Sequence, residues 1–160
     1  MTDQVFIVGC DPGTSAGIRI LDPDGYSHLA WQGAWENAGT IVRDFLRDLS
    51  HAATAVLVTE RFTVGSRGKV MTRQTIPQEL NAILRGLTRN FDVTYLEQGP
   101  SDVKKLANDA LLRDLDLYLT GKMIGQGDAN DVNDATRHAV YYLATKRATV
   151  FTQRLGVRVK

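Results

Sequence analysis

Five short apolar runs, separated by turn residues and interleaved with helix-period stripes, predict an α/β fold: a mixed five-stranded sheet flanked by helices. The length agrees. A chain of 160 residues that is 43% hydrophobic and 23% charged has the material for one packed core. The order agrees too, because three strands precede the first helix and strands alternate with helices afterwards.

Val5 to Cys10 is a continuous apolar run of strand length, closed by Asp11-Pro12-Gly13. Ala16 to Leu21 alternates as a second strand, and Asp22-Pro23-Asp24-Gly25 reads as a turn into a third over Tyr26 to Gln32. Thr40 to Ser50 places Ile41, Val42, Phe45, Leu46 and Leu49 on one helical face. Ala55 to Thr59 is a buried strand that delivers Glu60, and residues 61–74 read as a basic loop. The next helix starts near Thr75 and carries Ile76, Leu80, Ile83, Leu84 and Leu87 as its stripe, with Arg85 and Arg89 as dipole partners at its end. Asp92 to Leu96 is the fifth strand. Ser101 opens a helix, Leu106 to Leu119 reads as mostly helical, 121–130 as loop, and Asp131 to Arg147 as a long helix. The expected organisation is one domain over 1–150 and a basic, weakly alternating tail over 151–160.

One cysteine, Cys10, excludes a disulfide framework and a cysteine-based zinc site. Early acids such as Asp3 and the lack of a membrane-length apolar run lead us to expect a cytoplasmic protein with no membrane partner. The net charge of +1 argues at first against a nucleic-acid partner. The distribution argues otherwise: residues 1–60 hold eight acids and three bases, residues 61–160 ten acids and sixteen bases.

Four carboxylates stand where chemistry would need them. Asp11 ends the first strand, Glu60 ends the fourth, and Asp131 and Asp134 open the last long helix, three residues apart on one face. Each alone has an ordinary structural reading, as turn former, solvated strand end or helix cap. Together they would repel unless cations lie among them, and oxygen-only ligands suit Mg2+ or Mn2+. Two such ions about 4 Å apart are an apparatus for phosphodiester hydrolysis.

The runs GCDPGTSAGIRIL, AVLVTERF, GPSDVKK and NDVNDATRHAVYYL, in that order over nearly the whole chain, resemble the RuvC-type Holliday junction resolvases of the RNase H-like superfamily, and the short form resembles the phage-encoded branch. The resemblance implies an RNase H-like fold and a homodimeric nuclease of four-way or branched DNA, with two Mg2+ or Mn2+ ions on Asp11, Glu60, Asp131 and Asp134. It implies that Lys104 and Lys105 face DNA, and that an aromatic residue shortly after the glutamate enters the junction; Phe62 follows Glu60 by two. Arg61, Arg67, Lys69 and Arg73 are placed to hold phosphates beside the carboxylates. The leucine-rich run after Lys105 departs from the family pattern. So do Arg137 and His138. His138, one turn after Asp134, is expected on the helix surface paired with Asp134; the alternative is an auxiliary role at the cluster.

Three other readings compete. Asp11-Pro12-Gly13-Thr14 also fits the phosphate loop of the actin and sugar-kinase class, but that class clasps ATP between two domains and no second loop is present, so no nucleotide cofactor is expected. An RNase H-like nuclease of flap, fork or exonuclease specificity would use the same ligands. A DNA-structure-binding module without cleavage would not need all four carboxylates.

Overall fold

The computed structural model describes residues 4–49, 53–62, 75–123 and 127–156. The side chains of residues 122, 123 and 127 are outside that description.

Strands β1 (Gln4–Asp11), β2 (Ser15–Leu21) and β3 (Ser27–Ala34) form the opening meander. Its second turn is drawn tight by Asp22, whose Oδ1 accepts from the amides of Asp24 and Tyr26, and by Gly25 at φ +81°. Helix α1 (Trp35–Asp48) crosses over to β4 (Ala53–Glu60), and α2 (Thr75–Leu87) crosses to β5 (Val93–Gln98). Crossovers of that length permit parallel pairing. The sheet order is β3-β2-β1-β4-β5, antiparallel among β1, β2 and β3 and parallel among β1, β4 and β5. Helices α3 (Pro100–Leu106) and α4 (Asp109–Asp114), a two-stranded ribbon of β6 (Lys122–Met123) and β7 (Gly127–Asp128), and helices α5 (Asn130–Lys146) and α6 (Ala148–Arg154) complete the chain.

Side chains alternate across a strand, so each strand feeds two cores. Val8, Cys10, Ile18, Ile20 and Leu57 pack under α1 and α2 with Ala38, Val42, Leu46, Leu80 and Leu84. Ile7, Leu21, Val56 and Val58 pack on the other face with Ala139, Val140 and Leu143 of α5. The same parity decides where the chemistry lies. Counting by twos from Ile7 reaches Gly9 and Asp11, and from Val56 it reaches Val58 and Glu60, so both carboxylates belong to the α5 face. Cys10 belongs to the opposite one.

Four expectations are corrected. The first helix begins at Trp35, not Thr40. Helix between Leu106 and Leu119 is confined to Asp109–Asp114 beyond α3; Leu115 and Leu117 are buried in an irregular segment that turns at Asp116, φ 57°. Residues 121–130 include the short ribbon rather than loop alone. The alternation from Val150 is a helix, whose Val150 and Phe151 pack on the α5-side core.

Candidate active site

The cleft edge is built from β1 and β4, which run parallel with Cys10 opposite Thr59. Asp11 and Glu60, one residue further on, therefore leave the sheet side by side at its carboxyl edge. Helix α5 lies across that edge, and two glycines let it come close. A Cβ on Gly9 would press on Ala135, lying 3.1 Å from its carbonyl carbon and closer to its oxygen. A Cβ on Gly17 would lie 2.6 Å from Val132 N and closer still to the Asp131 carbonyl. Gly17 is paired with Asp11 in the β1–β2 register, so the first turn of α5, with Asp131 and Asp134, rests directly on the strand pair that carries Asp11.

The start of α5 lacks a side-chain cap of its own. Gln32 of β3 fills that role from below: its Oε1 accepts from Val132 N at 3.2 Å and its Nε2 donates to the Asp128 carbonyl at 2.8 Å. Arg19, 2% exposed, ties β2 to the same helix through Thr136 Oγ1 at 2.9 Å, and also donates to Ser27 Oγ and the Leu117 carbonyl. Burial pushes its guanidinium down to about 10.

All four carboxylates are half-buried. Burial, and then the charges of Asp134, Asp131 and Glu60 in that order, push the Asp11 carboxyl up from 3.8 to about 8, while Lys104 alone pulls it the other way. The four residues thus share one electrostatic environment. Among the described residues, no three His, Cys, Asp or Glu side chains stand close enough to hold a metal ion as placed. The donor chemistry nonetheless fits a hard divalent cation: oxygen donors only, in excess of the cations that face them.

Glu60 is held from two sides. Asn81 of α2 donates to its carbonyl at 3.0 Å and receives the Thr59 hydroxyl at 2.9 Å. His138 presents Nε2 to Glu60 Oε2 at 3.9 Å, and its Nδ1 lies 2.9 Å from Gln98 Oε1 at the end of β5. This corrects the expectation for His138. It is 2% exposed rather than on the surface, and it faces Glu60 and Gln98 rather than Asp134. The reason is angular: a residue four positions after Asp134 is rotated about 40° around the helix, enough here to turn it into the sheet. Asp134 is paired with Arg137 instead, at 3.3 Å.

The DNA-facing candidates are spread around this edge. Lys104 and Lys105 are exposed on α3, and Lys104 is near enough to act on Asp11. Arg61 is exposed, and its amide donates to the Gln98 carbonyl, extending the sheet by one residue. Phe62 is half-buried and lines a recess of about 270 Å3 with Gln78, Asn81, Ala82, Arg85 and Glu97. Arg85 is more than a dipole partner: its Nη2 meets Glu97 Oε1 at 2.7 Å and its guanidinium lies over Tyr95. Arg67, Lys69 and Arg73 lie outside the described residues.

Gln98 and Asn81 were missing from the sequence reading. Gln98 had a signal, since it sits at the end of the strand beside Glu60, just before Gly99-Pro100. Asn81 had none, being a polar residue within an apolar stripe.

No protein-family profile and no curated protein matches the chain. Solved structures do. The RuvC of T. thermophilus in complex with Holliday junction substrate matches with a TM-score of 0.57 at 15% identity, over 96% of this chain and 97% of that one. A second Thermus thermophilus RuvC structure matches with the same TM-score at 13% identity, over 95% and 97%. The sheet order, the helices on both faces and this likeness along almost the full length agree: the chain has the RuvC-type, RNase H-like α/β fold.

Proposed function

We propose that the protein is a divalent-metal-dependent endonuclease that nicks four-way and other branched DNA, acting as a homodimer. The observation that carries this reading is that Glu60, Asp131 and Asp134 all lie near enough to Asp11 for their charges to act on it, at the carboxyl edge of a RuvC-type sheet. The likeness to a RuvC structure that holds Holliday junction substrate supports the choice of DNA.

Asp11, Glu60, Asp131 and Asp134 would hold two Mg2+ or Mn2+ ions. Such ions supply Lewis-acid activation of water and neutralise charge at the leaving 3′ oxygen. The chain's own residues do the rest. Gly9 and Gly17 let α5 bring its two aspartates to the strand ends. Asn81 fixes the backbone of Glu60, and the buried His138, itself held by Gln98, steers its carboxylate. Lys104 sets positive charge beside Asp11, where a scissile phosphate would add negative charge. Arg61, Phe62 and Lys105, with Arg67, Lys69 and Arg73 of the basic stretch that follows Glu60 in sequence, are assigned to the DNA arms. A junction has two-fold symmetry, so paired nicks need two active sites related in the same way.

The test is a panel of immobile four-way junction, flap, fork and plain duplex with Mg2+ or Mn2+. Wild type should nick the junction in symmetric pairs, leaving 5′-phosphate and 3′-hydroxyl ends. Glu60→Gln and Asp134→Asn should bind the junction yet cut it at least about 100-fold more slowly. Normal cutting by either variant would sink the metal assignment, and preference for another substrate would move the protein to a different nuclease specificity.

A further inference from the structure

Next to the carboxylates, α3, α4 and α5 border a shallow, open depression of about 650 Å3. Lys104, Arg113 and Arg137 line it against Asp109 and Asp134, and Asp134 is the edge it shares with the candidate metal centre. Arg137 is the half-buried base of this group, its side chain 15% exposed. It is ion-paired with Asp109 at one side and, through Nη1, lies 3.3 Å from Asp134 Oδ1 at the other. That Nη1 is shut from solvent and makes no hydrogen bond of proper geometry. Its pairing with Asp134 is thus by charge and not by an aligned hydrogen bond, and a phosphate oxygen is an acceptor that a guanidinium N–H suits well. Arg113 shows the same readiness. Its guanidinium stacks on Tyr118, 4.1 Å from the ring centroid, and no hydrogen bond or ion pair engages its N–H groups among the described residues. Lys104, exposed at the rim, is close enough to influence Asp11.

We propose that this depression is a phosphodiester site for the DNA strand beside the scissile bond, and that Arg137 couples it to the metal centre. Arg137 neutralises Asp134 while no cation is bound. With Asp134 given over to a divalent cation, Asp109 would keep the guanidinium in place and Nη1 would be free for a phosphate oxygen. Metal and DNA then bind cooperatively through one side chain. The inference rests on the nuclease reading above.

The coupling has a signature that a merely structural arginine lacks. Arg137→Gln removes a competitor for Asp134 and a nearby positive charge, so Mn2+ titrated into the full chain without DNA should bind about 3–10-fold more tightly. The same variant should bind a four-way junction about 5–10-fold more weakly, with a salt slope smaller by about 1. Arg113→Gln, which leaves Asp134 untouched, should weaken junction binding and reduce the slope in the same way, with Mn2+ affinity within about twofold of wild type. Arg137→Lys should restore the salt slope better than it restores affinity, since it keeps the charge but loses the fork. If Arg137→Gln lowers metal and DNA affinity together, the residue is structural and the proposal falls. Unchanged junction affinity and slope in both glutamine variants overturn the phosphate site, and unchanged Mn2+ affinity overturns the coupling. Wild type that cuts junctions while the glutamine variants bind normally refutes this inference alone; wild type that neither binds nor cuts junctions refutes the nuclease reading and this inference with it.

Discussion

Gly17→Ala adds one methyl group and should disable the protein. Gly17 has no side chain to do chemistry; its use is to let the first turn of α5 rest on β2 opposite Asp11. The added Cβ would start 2.6 Å from Val132 N, whereas ordinary contact begins near 3.4 Å. The shortfall is close to 1 Å, and both atoms in conflict are backbone, so no side chain can rotate away. Either α5 lifts or β2 bows, and in both cases Asp131 and Asp134 move relative to Asp11. Overpacking of this kind costs about 1–3 kcal/mol. A misplacement of about 1 Å in a catalytic constellation costs about 100-fold in rate. The assay is junction cleavage under single-turnover conditions, paired with urea denaturation to separate misplacement from unfolding. Gly86→Ala is the control, because a Cβ there meets nothing within 4 Å. It should leave cleavage unchanged and stabilise the helix by about 0.5–1 kcal/mol. Cleavage by Gly17→Ala within about threefold of wild type, in folded protein, would refute the claim that the close approach of α5 sets the site.

Two further outcomes follow from the charges. Asp11 is an acid whose folded value is raised to about 8 from 3.8, so the folded state holds a proton that the unfolded state has lost, and metal-free stability should fall as pH rises from about 4 to about 8. Asp11→Asn should remove that fall, stabilising the metal-free protein by about 1–3 kcal/mol at pH 8 and by much less at pH 4, the full shift being discounted because the group is half-buried and shares its repulsion with three neighbours; equal urea midpoints for the two proteins at pH 8 in EDTA would contradict this. Arg19→Ala should cost about 3–5 kcal/mol in urea denaturation, because it leaves a cavity and strands the buried Leu117 carbonyl; a loss under about 1 kcal/mol would mean that the three hydrogen bonds do not brace the helix.

The strands were legible because their apolar runs are short and end in Pro, Gly or Asp. The places of Asp11 and Glu60 at the ends of the first and fourth strands were legible for the same reason, whereas the parity that sends both to one face is read from the packing. The start of α1 was not. Trp35 to Gly39 carries no apolar stripe and holds Asn37 and Gly39, both weak helix formers, and Gly39 is explained only by α2, since a Cβ there would lie 2.8 Å from Ile83 Cγ2. The leucines after Leu106 suggested a long helix because an apolar run carries no mark of its period. Leu112, Leu115 and Leu117 are all buried, yet only the first is helical. The alternation over Ala16 to Leu21 does not tell that Arg19 is buried; that is visible only once Thr136, Ser27 and the Leu117 carbonyl are in place around it. At the site, spacing along α5 showed that Asp131 and Asp134 share a face, but not that His138 turns inward to Glu60. That depends on how the helix is rolled against the sheet.

The irregular stretch after α4 has a kinetic meaning. Asn133 of α5 donates to the Leu119 carbonyl and accepts from its amide, both at 2.9 Å, as a neighbouring strand would. Leu117 N is bonded to the Leu112 carbonyl, and the Leu117 carbonyl is held by Arg19. Segment 115–119 is therefore a loop in shape and core in stability. The Leu119 amide should exchange with solvent only when α5 leaves the sheet, so a slow hydrogen is to be sought there as well as in β1 and β4.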